Sequence, residues 1–397
     1  MKRYIVLIAS IIIQVCLGSI YAWSAFVQPL NKEYFLSITH TQLIFGITIA
    51  IFTLTMVLAG RFYQRYGPKI TATIGGVLFG LGYLVASASQ GDFGLLVIGI
   101  ALLSGMGIGF GYICPLAVSI RWFPRHKGLV TGLAVGGFGA GAIIVSSLTS
   151  YLLHTGFDVL TIFQWIGLIY GLTIIGGAQF LALPGNETST LLVSAKKTLA
   201  FTVIIGNQDF PALAGGIFCG TFAGLMVVGN LGSIGFVSGL AVSEVAFAVS
   251  AFAIGNGLGR VTWGWLYDVY NTKAITLSLV VLAGAVFSLG FLSEYGWLFI
   301  LISTFIGFGF GANFVLYATY VAQKFGSTGV GTVYPLVFLF YGISGILGPV
   351  AGGYLFDVTG SYLPSIIVAS VVALLGVVMV RKLGRCAPDK DTNHNLA

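Results

Sequence analysis

A single arginine stands deep inside a long hydrophobic segment, where it could bind an anion. Arg260 precedes Asp268 by eight residues, in the stretch Ile-Gly-Asn-Gly-Leu-Gly-Arg-Val-Thr-Trp-Gly-Trp-Leu-Tyr-Asp. If Asp268 marks the water boundary, a helix puts Arg260 about 12 Å deep, close to the midplane of a hydrocarbon core about 30 Å thick. A cation there costs roughly 2.5–3.5 kcal/mol or more, and it is normally kept only where it faces a cavity, a partner or an anion.

The helical face that carries Arg260 is made of small residues and one amide. Spacings of three and four place Ala253, Asn256, Gly257 and Gly264 on that face. A face of this kind borders a cavity or a close helix neighbour. We interpret Arg260 as a group that donates two parallel charge-assisted hydrogen bonds to a carboxylate. The alternative is a structural arginine that caps backbone carbonyls or pairs with a buried acid, but no Asp or Glu lies deep in a predicted span.

The composition indicates an integral membrane protein. Of its 397 residues, 57% are hydrophobic and 7% are charged, against about 25% charged in soluble domains. Continuous apolar runs exclude a membrane barrel, whose strands alternate apolar and polar residues. We predict an all-α membrane protein with twelve transmembrane helices in two six-helix bundles. The predicted spans are residues 4–29, 41–60, 70–90, 94–119, 129–153, 159–183, 210–231, 242–263, 274–293, 296–322, 330–351 and 363–381.

The cations predict the orientation of these spans. The formal charge is +7, and almost every cation falls on one side of the twelve-span arrangement. These are Lys2, Arg3, Arg61, Arg65, Lys69, Arg121, Arg125, Lys127, Lys196, Lys197, Lys273, Lys324, Arg381, Lys382, Arg385 and Lys390. Lys32 alone lies opposite. By the positive-inside rule, both termini are cytoplasmic. Topology therefore explains the basic balance without nucleic acid, and the compact loops favour a prokaryotic inner membrane, which is the plasma membrane.

Residues that could hold a metal or do covalent chemistry are scattered. The cysteines are Cys16, Cys114, Cys219 and Cys386, and the histidines are His40, His126, His154 and His394. They form neither a disulfide framework nor a metal site. The glycines of the fourth span lack dinucleotide-binding spacing and context. We expect no metal, no cofactor and no enzymatic activity.

The chain reads as two related halves. Segment 185–209 interrupts the hydrophobic pattern, with six spans on either side. The loop after the second span runs Gly-Arg-Phe-Tyr-Gln-Arg-Tyr-Gly-Pro-Lys over residues 60–69, and the loop after the eighth runs Gly-Trp-Leu-Tyr-Asp-Val-Tyr-Asn-Thr-Lys over 264–273. We predict an N-terminal bundle at 1–184, a cytoplasmic linker at 185–209, a C-terminal bundle at 210–383 and a cytoplasmic tail at 384–397.

These loops resemble the signature loop of the major facilitator superfamily. The second copy keeps the expected aspartate at Asp268, whereas the first has Gln64 in its place. A narrower resemblance, to the oxalate/formate antiporter family and monocarboxylate transporters, rests on residues 18–23, 105–115, 121–128, 131–141 and 256–260. The superfamily resemblance implies a gate on the cytoplasmic side. Its candidate residues are Gly60, Arg61, Arg65, Gly264, Asp268 and Lys273.

The narrower resemblance also implies residues that line a cavity. Tyr21, Tyr112, Asn313 and Tyr317 match such positions, although tyrosines in membranes also sit at interfaces or pack between helices. Tyr334, Phe338 and Tyr341 share one stripe of the eleventh span. Some oxalate-handling relatives have a lysine where Tyr341 stands. One cation suits a monoanion better than a dianion.

These features predict a secondary transporter of a small monocarboxylate, of the lactate, pyruvate or formate type, working by alternating access as a monomer in the bilayer. Some monocarboxylate relatives carry an aspartate where this chain has Asn256, so proton symport stays a hypothesis. The alternatives are an oxalate/formate-type anion exchanger and a drug-efflux transporter of the same fold. A non-transporting receptor is disfavoured by the short cytoplasmic segments, and an intramembrane enzyme by the lack of a catalytic dyad.

Overall fold

The computed structural model describes residues 2–185 and 201–383, and throughout these ranges the ordered elements are helices. Most of the predicted linker, the predicted tail, and Lys196, Lys197, Arg385, Cys386, Lys390 and His394 lie outside the described residues. Below, the side of the molecule that carries Lys2, Arg61, Arg125, Lys273 and Arg381 is called the basic side, and the other is called the opposite side.

Eleven helices in the described ranges are long and apolar enough to cross a membrane. One of them, Ile38–Ser87, has 50 residues and would be about 75 Å long, far more than the hydrocarbon core. Gly67, with φ 80° and ψ 176°, breaks it just before Pro68. Divided there, it supplies two crossings, and the total of twelve agrees with the predicted fold.

The crossings are labelled α1 to α12 in chain order. They are α1 (Lys2–Leu17, continued by a 3-10 turn at Gly18–Ala22 and by Ser24–Tyr34), α2 (38–66), α3 (68–87), α4 (Phe93–Trp122), α5 (Lys127–His154), α6 (Val159–Ala178), α7 (Phe210–Val228), α8 (Val242–Tyr270), α9 (Lys273–Leu292), α10 (Gly296–Lys324), α11 (Gly326–Thr359) and α12 (Leu363–Val380).

Several predicted boundaries are wrong by one or two turns. Helix α2 runs through the first signature loop to Tyr66, and α8 runs to Tyr270, where Asn271 adopts a positive φ. The seventh predicted span ends early, at Val228, and a short helix, Leu231–Val237, follows it. The prediction ended these helices at polar residues. A helix can extend past the membrane into water, where polar side chains are solvated.

The two halves meet along two seams, α2 against α11 and α5 against α8. On the basic side the backbones touch: a Cβ added at Gly60 would overlap the carbonyl oxygen of Gly331, and one at Gly128 would overlap that of Gly264. Farther along the same stripes of α2 and α11, a Cβ at Gly46 or Gly353 would meet no atom within 4 Å. The halves are therefore in direct backbone contact on the basic side, and this close contact does not extend to Gly46 and Gly353.

This packing predicts different outcomes for two alanine substitutions in one helix. Gly60→Ala should lower the free energy of unfolding by about 1–3 kcal/mol, because the methyl group must push backbone aside. Gly46→Ala should leave stability unchanged or raise it by up to about 1 kcal/mol through helix propensity. Thermal unfolding of the purified protein in detergent measures both. Equal melting temperatures for the two variants would contradict the close seam.

Candidate functional site

Arg260 lies at the centre of the molecule with 1% of its surface exposed. Its Nε donates to Oδ1 of Asn256 at 3.1 Å, one turn earlier on α8. Its Nη1 donates to the backbone carbonyl of Val135 on α5 at 2.7 Å. The ring of Phe314 on α10 lies 4.7 Å from Cζ, a cation–π contact. Arg260 is thus fixed by groups from both halves of the molecule.

One nitrogen of the guanidinium group has no hydrogen-bond acceptor. The Nη2 atom is buried and makes no hydrogen bond of ordinary geometry. Within residues 2–185 and 201–383, Arg260 forms no ion pair with an acid. A buried donor without an acceptor costs about 1–3 kcal/mol, and more when it is charged. The arrangement presents a positive donor to whatever enters beside it.

Close packing of α8 against α10 holds Arg260 in place. A Cβ at Gly259 would overlap the carbonyl of Phe308, and one at Gly311 would overlap that of Asn256. One turn after Arg260 on the same helix, the Nε1 of Trp263 donates to the carbonyl of Phe308 at 3.0 Å. Glycine on both helices lets the backbones approach, and the approach puts Phe314 beside the guanidinium.

Two tyrosines from opposite halves meet next to Arg260. The hydroxyls of Tyr21 and Tyr341 are 2.5 Å apart and share a hydrogen bond. Tyr21 lies in the 3-10 turn of α1, whose first residue, Gly18, packs closely against the carbonyl of Phe138. Both hydroxyls are near enough to Arg260 to interact with its charge. The predicted residues Tyr21, Tyr341, Asn256 and Arg260 are therefore brought together.

Aromatic rings wall this cluster. Tyr112 of α4 lies 5.5 Å from both Phe138 and Phe338 and 5.3 Å from Phe52, between ring centroids. Its buried hydroxyl makes no hydrogen bond of ordinary geometry, although it interacts with the hydroxyl of Tyr334 and with Arg260. The structure thus adds Phe52 and Phe138 to the predicted tyrosines. An apolar wall with few polar groups is the usual make-up of a small-molecule site.

Two predicted residues lie elsewhere. Asn313 and Tyr317 are buried on the side of α10 that faces α7: a Cβ at Gly220 would overlap Oδ1 of Asn313, and one at Gly216 would lie 2.5 Å from the Tyr317 hydroxyl. Asn313 donates to the carbonyl of Phe310 in its own helix. The structure puts Phe314, one position along, beside Arg260 instead.

The candidate gate residues lie on the basic side. Gly60 and Gly264 form the two seams, and Asp268 accepts hydrogen bonds from the backbone amides of Gly128 at 2.8 Å and Leu129 at 2.9 Å. These bonds join the C-terminal half to the start of α5. Arg61, Arg65 and Lys273 are exposed at the basic surface.

No group of three or more His, Cys, Asp or Glu side chains that could hold a metal ion occurs among the described residues.

Comparison with known proteins gives a consistent result. The model of the Major Facilitator Superfamily matches residues 7–240 and 212–395. The chain is 27% identical over 347 residues to the uncharacterized MFS-type transporter YhjX of Escherichia coli (strain K12), covering 87% of this chain and 86% of that protein. It is 23% identical over 393 residues to the oxalate:formate antiporter of Oxalobacter formigenes, covering 97% and 93%.

Other similarities extend this picture. The chain is 28% identical over 355 residues to monocarboxylate transporter 11 of Mus musculus, covering 82% of this chain and 74% of that one. Among solved structures, FucP in the outward conformation aligns with a TM-score of 0.72 at 15% identity, covering 96% of this chain and 99% of that one. At that identity the structural likeness shows the fold alone.

The bond between Tyr21 and Tyr341 predicts a non-additive pair of substitutions. Tyr21→Phe and Tyr341→Phe should each lower stability by about 1 kcal/mol, and the double variant by about the same amount, because all three lose one shared bond. Melting temperatures in detergent measure this. Tyr354→Phe, at a residue 66% exposed, is the control that should change nothing; additive losses in the double variant would show that the two hydroxyls act separately.

Proposed function

The chain belongs to the Major Facilitator Superfamily, and on that premise we propose that it carries a small monocarboxylate, of the lactate, pyruvate or formate type, by alternating access. One observation carries this proposal: the guanidinium of Arg260 is buried, has a leftover donor at Nη2, and has no acidic partner among the residues described. A substrate carboxylate would satisfy that donor with a charge-assisted hydrogen bond.

The charge balance of the site supports a monoanion. Arg260 is the only cation on the cluster of described residues formed by Tyr21, Tyr112, Phe314 and Tyr341. A dianion such as oxalate would place a second negative charge against aromatic rings. That charge would meet tyrosine hydroxyls but no second cation, so its desolvation would be compensated less well than that of the first charge. A carboxylate with a short uncharged remainder fits the rings better.

The relatives support carboxylate transport in general. An oxalate:formate antiporter and a monocarboxylate transporter, by their names, both handle carboxylates. Their identity to this chain is below 30%, so the choice among carboxylates rests on the residues of the site.

Closure of the halves would strengthen the anchoring of the substrate. In the closed, dry centre the effective dielectric is low, so an ion pair between Arg260 and a carboxylate is stronger than the same pair in water. Because Nη1 of Arg260 binds the carbonyl of Val135 in the other half, a substrate held by Arg260 would lie where the two halves meet. Occupancy would then favour the closed state over the open one.

The same site bears on coupling. Arg260 contacts the amide of Asn256, a backbone carbonyl and an aromatic ring, and the hydroxyls of Tyr21 and Tyr341 lie beside it. Among the described residues, no carboxylate pairs with it. Proton symport through this cluster would therefore have the proton travel on the substrate. Anion exchange is the second candidate, favoured by the similarity to an antiporter over 97% of the chain.

We also propose that the basic side is cytoplasmic, with both termini there, in a prokaryotic inner membrane, and that the protein works as a monomer. The supporting observation is that Lys32 is the one lysine or arginine on the opposite side among the described residues.

Substitution of Arg260 tests the anchor. In proteoliposomes, Arg260→Ala should reduce uptake of labelled lactate, pyruvate or formate at least tenfold, because a hydrogen bond to a charged group is worth about 1.5–3 kcal/mol. Arg260→Lys should retain part of the uptake, since it keeps the charge but loses the planar fork. Arg381→Ala, an exposed position at the end of α12, is the matched control. Unchanged carboxylate uptake by Arg260→Ala would make Arg260 structural.

External pH and preloading separate the coupling modes. If a proton travels with the substrate, lowering the external pH should raise the initial rate of uptake by the wild-type protein. Preloading the vesicles with unlabelled substrate should then raise the rate of uptake of labelled substrate only slightly. If the initial rate of uptake does not depend on external pH and rises strongly with preloading, the protein is an exchanger and not a proton symporter.

A further inference from the structure

The α5–α8 seam is closely packed at one end and has room for a side chain at the level of Arg260. A Cβ added to each glycine on this face of α5 measures that room. The nearest atom of α8 would lie 2.1 Å away at Gly128, 2.4 Å at Gly132, 3.4 Å at Gly136 and 3.8 Å at Gly139. The first two positions admit no side chain unless the backbone shifts, whereas the last admits a methyl group in ordinary van der Waals contact.

The room at Gly139 lies directly over the guanidinium group. A Cβ there would be 3.9 Å from both Cζ and Nε of Arg260, and only the Cα of Gly257, at 3.8 Å, would be nearer. Neither terminal nitrogen of the guanidinium is closer to this Cβ than Cζ and Nε are. In the plane of the group, a point at these distances from Cζ and Nε would lie nearer to a terminal nitrogen. The Cβ must therefore lie above the flat face.

Most of the other contact positions of the same group are occupied. Nε donates to Asn256, Nη1 donates to the carbonyl of Val135, and the ring of Phe314 lies 4.7 Å from Cζ. Nη2 is buried and makes no hydrogen bond of ordinary geometry. A carboxylate bound to Nη2 would bring its remaining atoms close to the guanidinium, where no side chain fills the space beside Gly139.

The surroundings of this space are apolar. Phe138 precedes Gly139 in the chain, and its ring centroid lies 5.1 Å from that of Tyr21 and 5.5 Å from that of Tyr112. The Cα of Gly257 closes the space on the side of α8. An apolar group of methyl size would make van der Waals contacts there, whereas a larger group would meet the backbone of α8.

We infer that Gly139 determines which carboxylates fit: the space between Gly139, Gly257 and the flat face of the guanidinium receives the methyl end of a short carboxylate. The inference rests on the proposed function, because it requires a carboxylate on Nη2 of Arg260. Acetate, pyruvate and lactate carry such a methyl group. Formate has none and would leave the space unfilled, and trimethylacetate is too bulky for it.

Gly139→Ala fills the space with a methyl group of the protein. It should weaken the binding of acetate and pyruvate about tenfold or more relative to that of formate, as expected when one methyl group is excluded from an apolar pocket. Gly136→Ala makes the same change three residues earlier on the same face, where the added Cβ would meet Val261 and not the guanidinium. This variant is the matched control and should keep the wild-type selectivity. Neither variant should melt below the wild type, because neither Cβ would come nearer than 3.4 Å to the neighbouring helix.

The rise of the melting temperature with ligand concentration, measured on the full chain in detergent, gives dissociation constants for formate, acetate, pyruvate and trimethylacetate. We expect the wild type to bind acetate and pyruvate more tightly than formate or trimethylacetate, and Gly139→Ala to lose the preference over formate. If Gly139→Ala weakens the binding of formate and pyruvate by the same factor, or of neither, the inference is wrong. The same loss of preference in Gly136→Ala would also contradict it. Equally tight binding of trimethylacetate and acetate by the wild type would overturn it without any variant.

The same measurement on Arg260→Ala separates failure of this inference from failure of the proposed function. If Arg260→Ala binds none of the four acids and Gly139→Ala does not change the selectivity, the carboxylate anchor stands and the size limit at Gly139 is wrong. If Arg260→Ala binds the acids as the wild type does, the anchor itself is wrong, and the inference fails with it.

Discussion

The burial of one guanidinium sets the main constraint on this structure. A cation at the centre of a membrane protein must be hydrogen-bonded on as many edges as possible, since its hydration is lost. Arg260 has Asn256 at Nε, a backbone carbonyl at Nη1 and an aromatic face against Cζ. These contacts require α5, α8 and α10 to lie close together. The glycine-to-backbone contacts along those helices make that approach possible.

The same contacts link the site to the movement of the halves. Val135 and Tyr21 belong to the N-terminal half, and Arg260 and Tyr341 to the C-terminal half, so both hydrogen bonds across the centre must change when the halves separate there. On the basic side, the glycine seams and Asp268 oppose separation. In the proposed mechanism, a substrate that adds to the central bonds holds the two halves together at the centre.

Sequence reasoning predicted the fold correctly. Of the predicted site residues, the structure brings Tyr21, Asn256, Arg260 and Tyr341 together, and it places Asn313 and Tyr317 elsewhere because of the rotation of their helix. The twelve spans and the resemblance to the superfamily followed from hydropathy and the two loop motifs, and these predictions are confirmed. Asn313 and Phe314 are adjacent and both lie in an apolar helix, so hydropathy gives no sign of which one faces Arg260. The rotation of α10 is set by its packing against α7 and α8, which only the structure gives.

Other features carried no sequence signal at all. The partner of Nη1 of Arg260 is the backbone carbonyl of Val135. Every residue has a backbone carbonyl, so the residue type at position 135 does not predict this contact. Phe52 and Phe138 are two of 31 phenylalanines and look like ordinary membrane residues.

Direct binding to the purified protein tests the central claim, that Arg260 anchors a small carboxylate. The melting temperature in detergent would be followed while lactate, pyruvate, formate or oxalate is added, for the wild-type protein and for Arg260→Ala. A ligand that binds the folded state raises its stability in proportion to the logarithm of its concentration once binding is saturated. We predict that at least one monocarboxylate stabilises the wild type and that none stabilises Arg260→Ala. Equal stabilisation of both proteins by the same carboxylate would contradict the account.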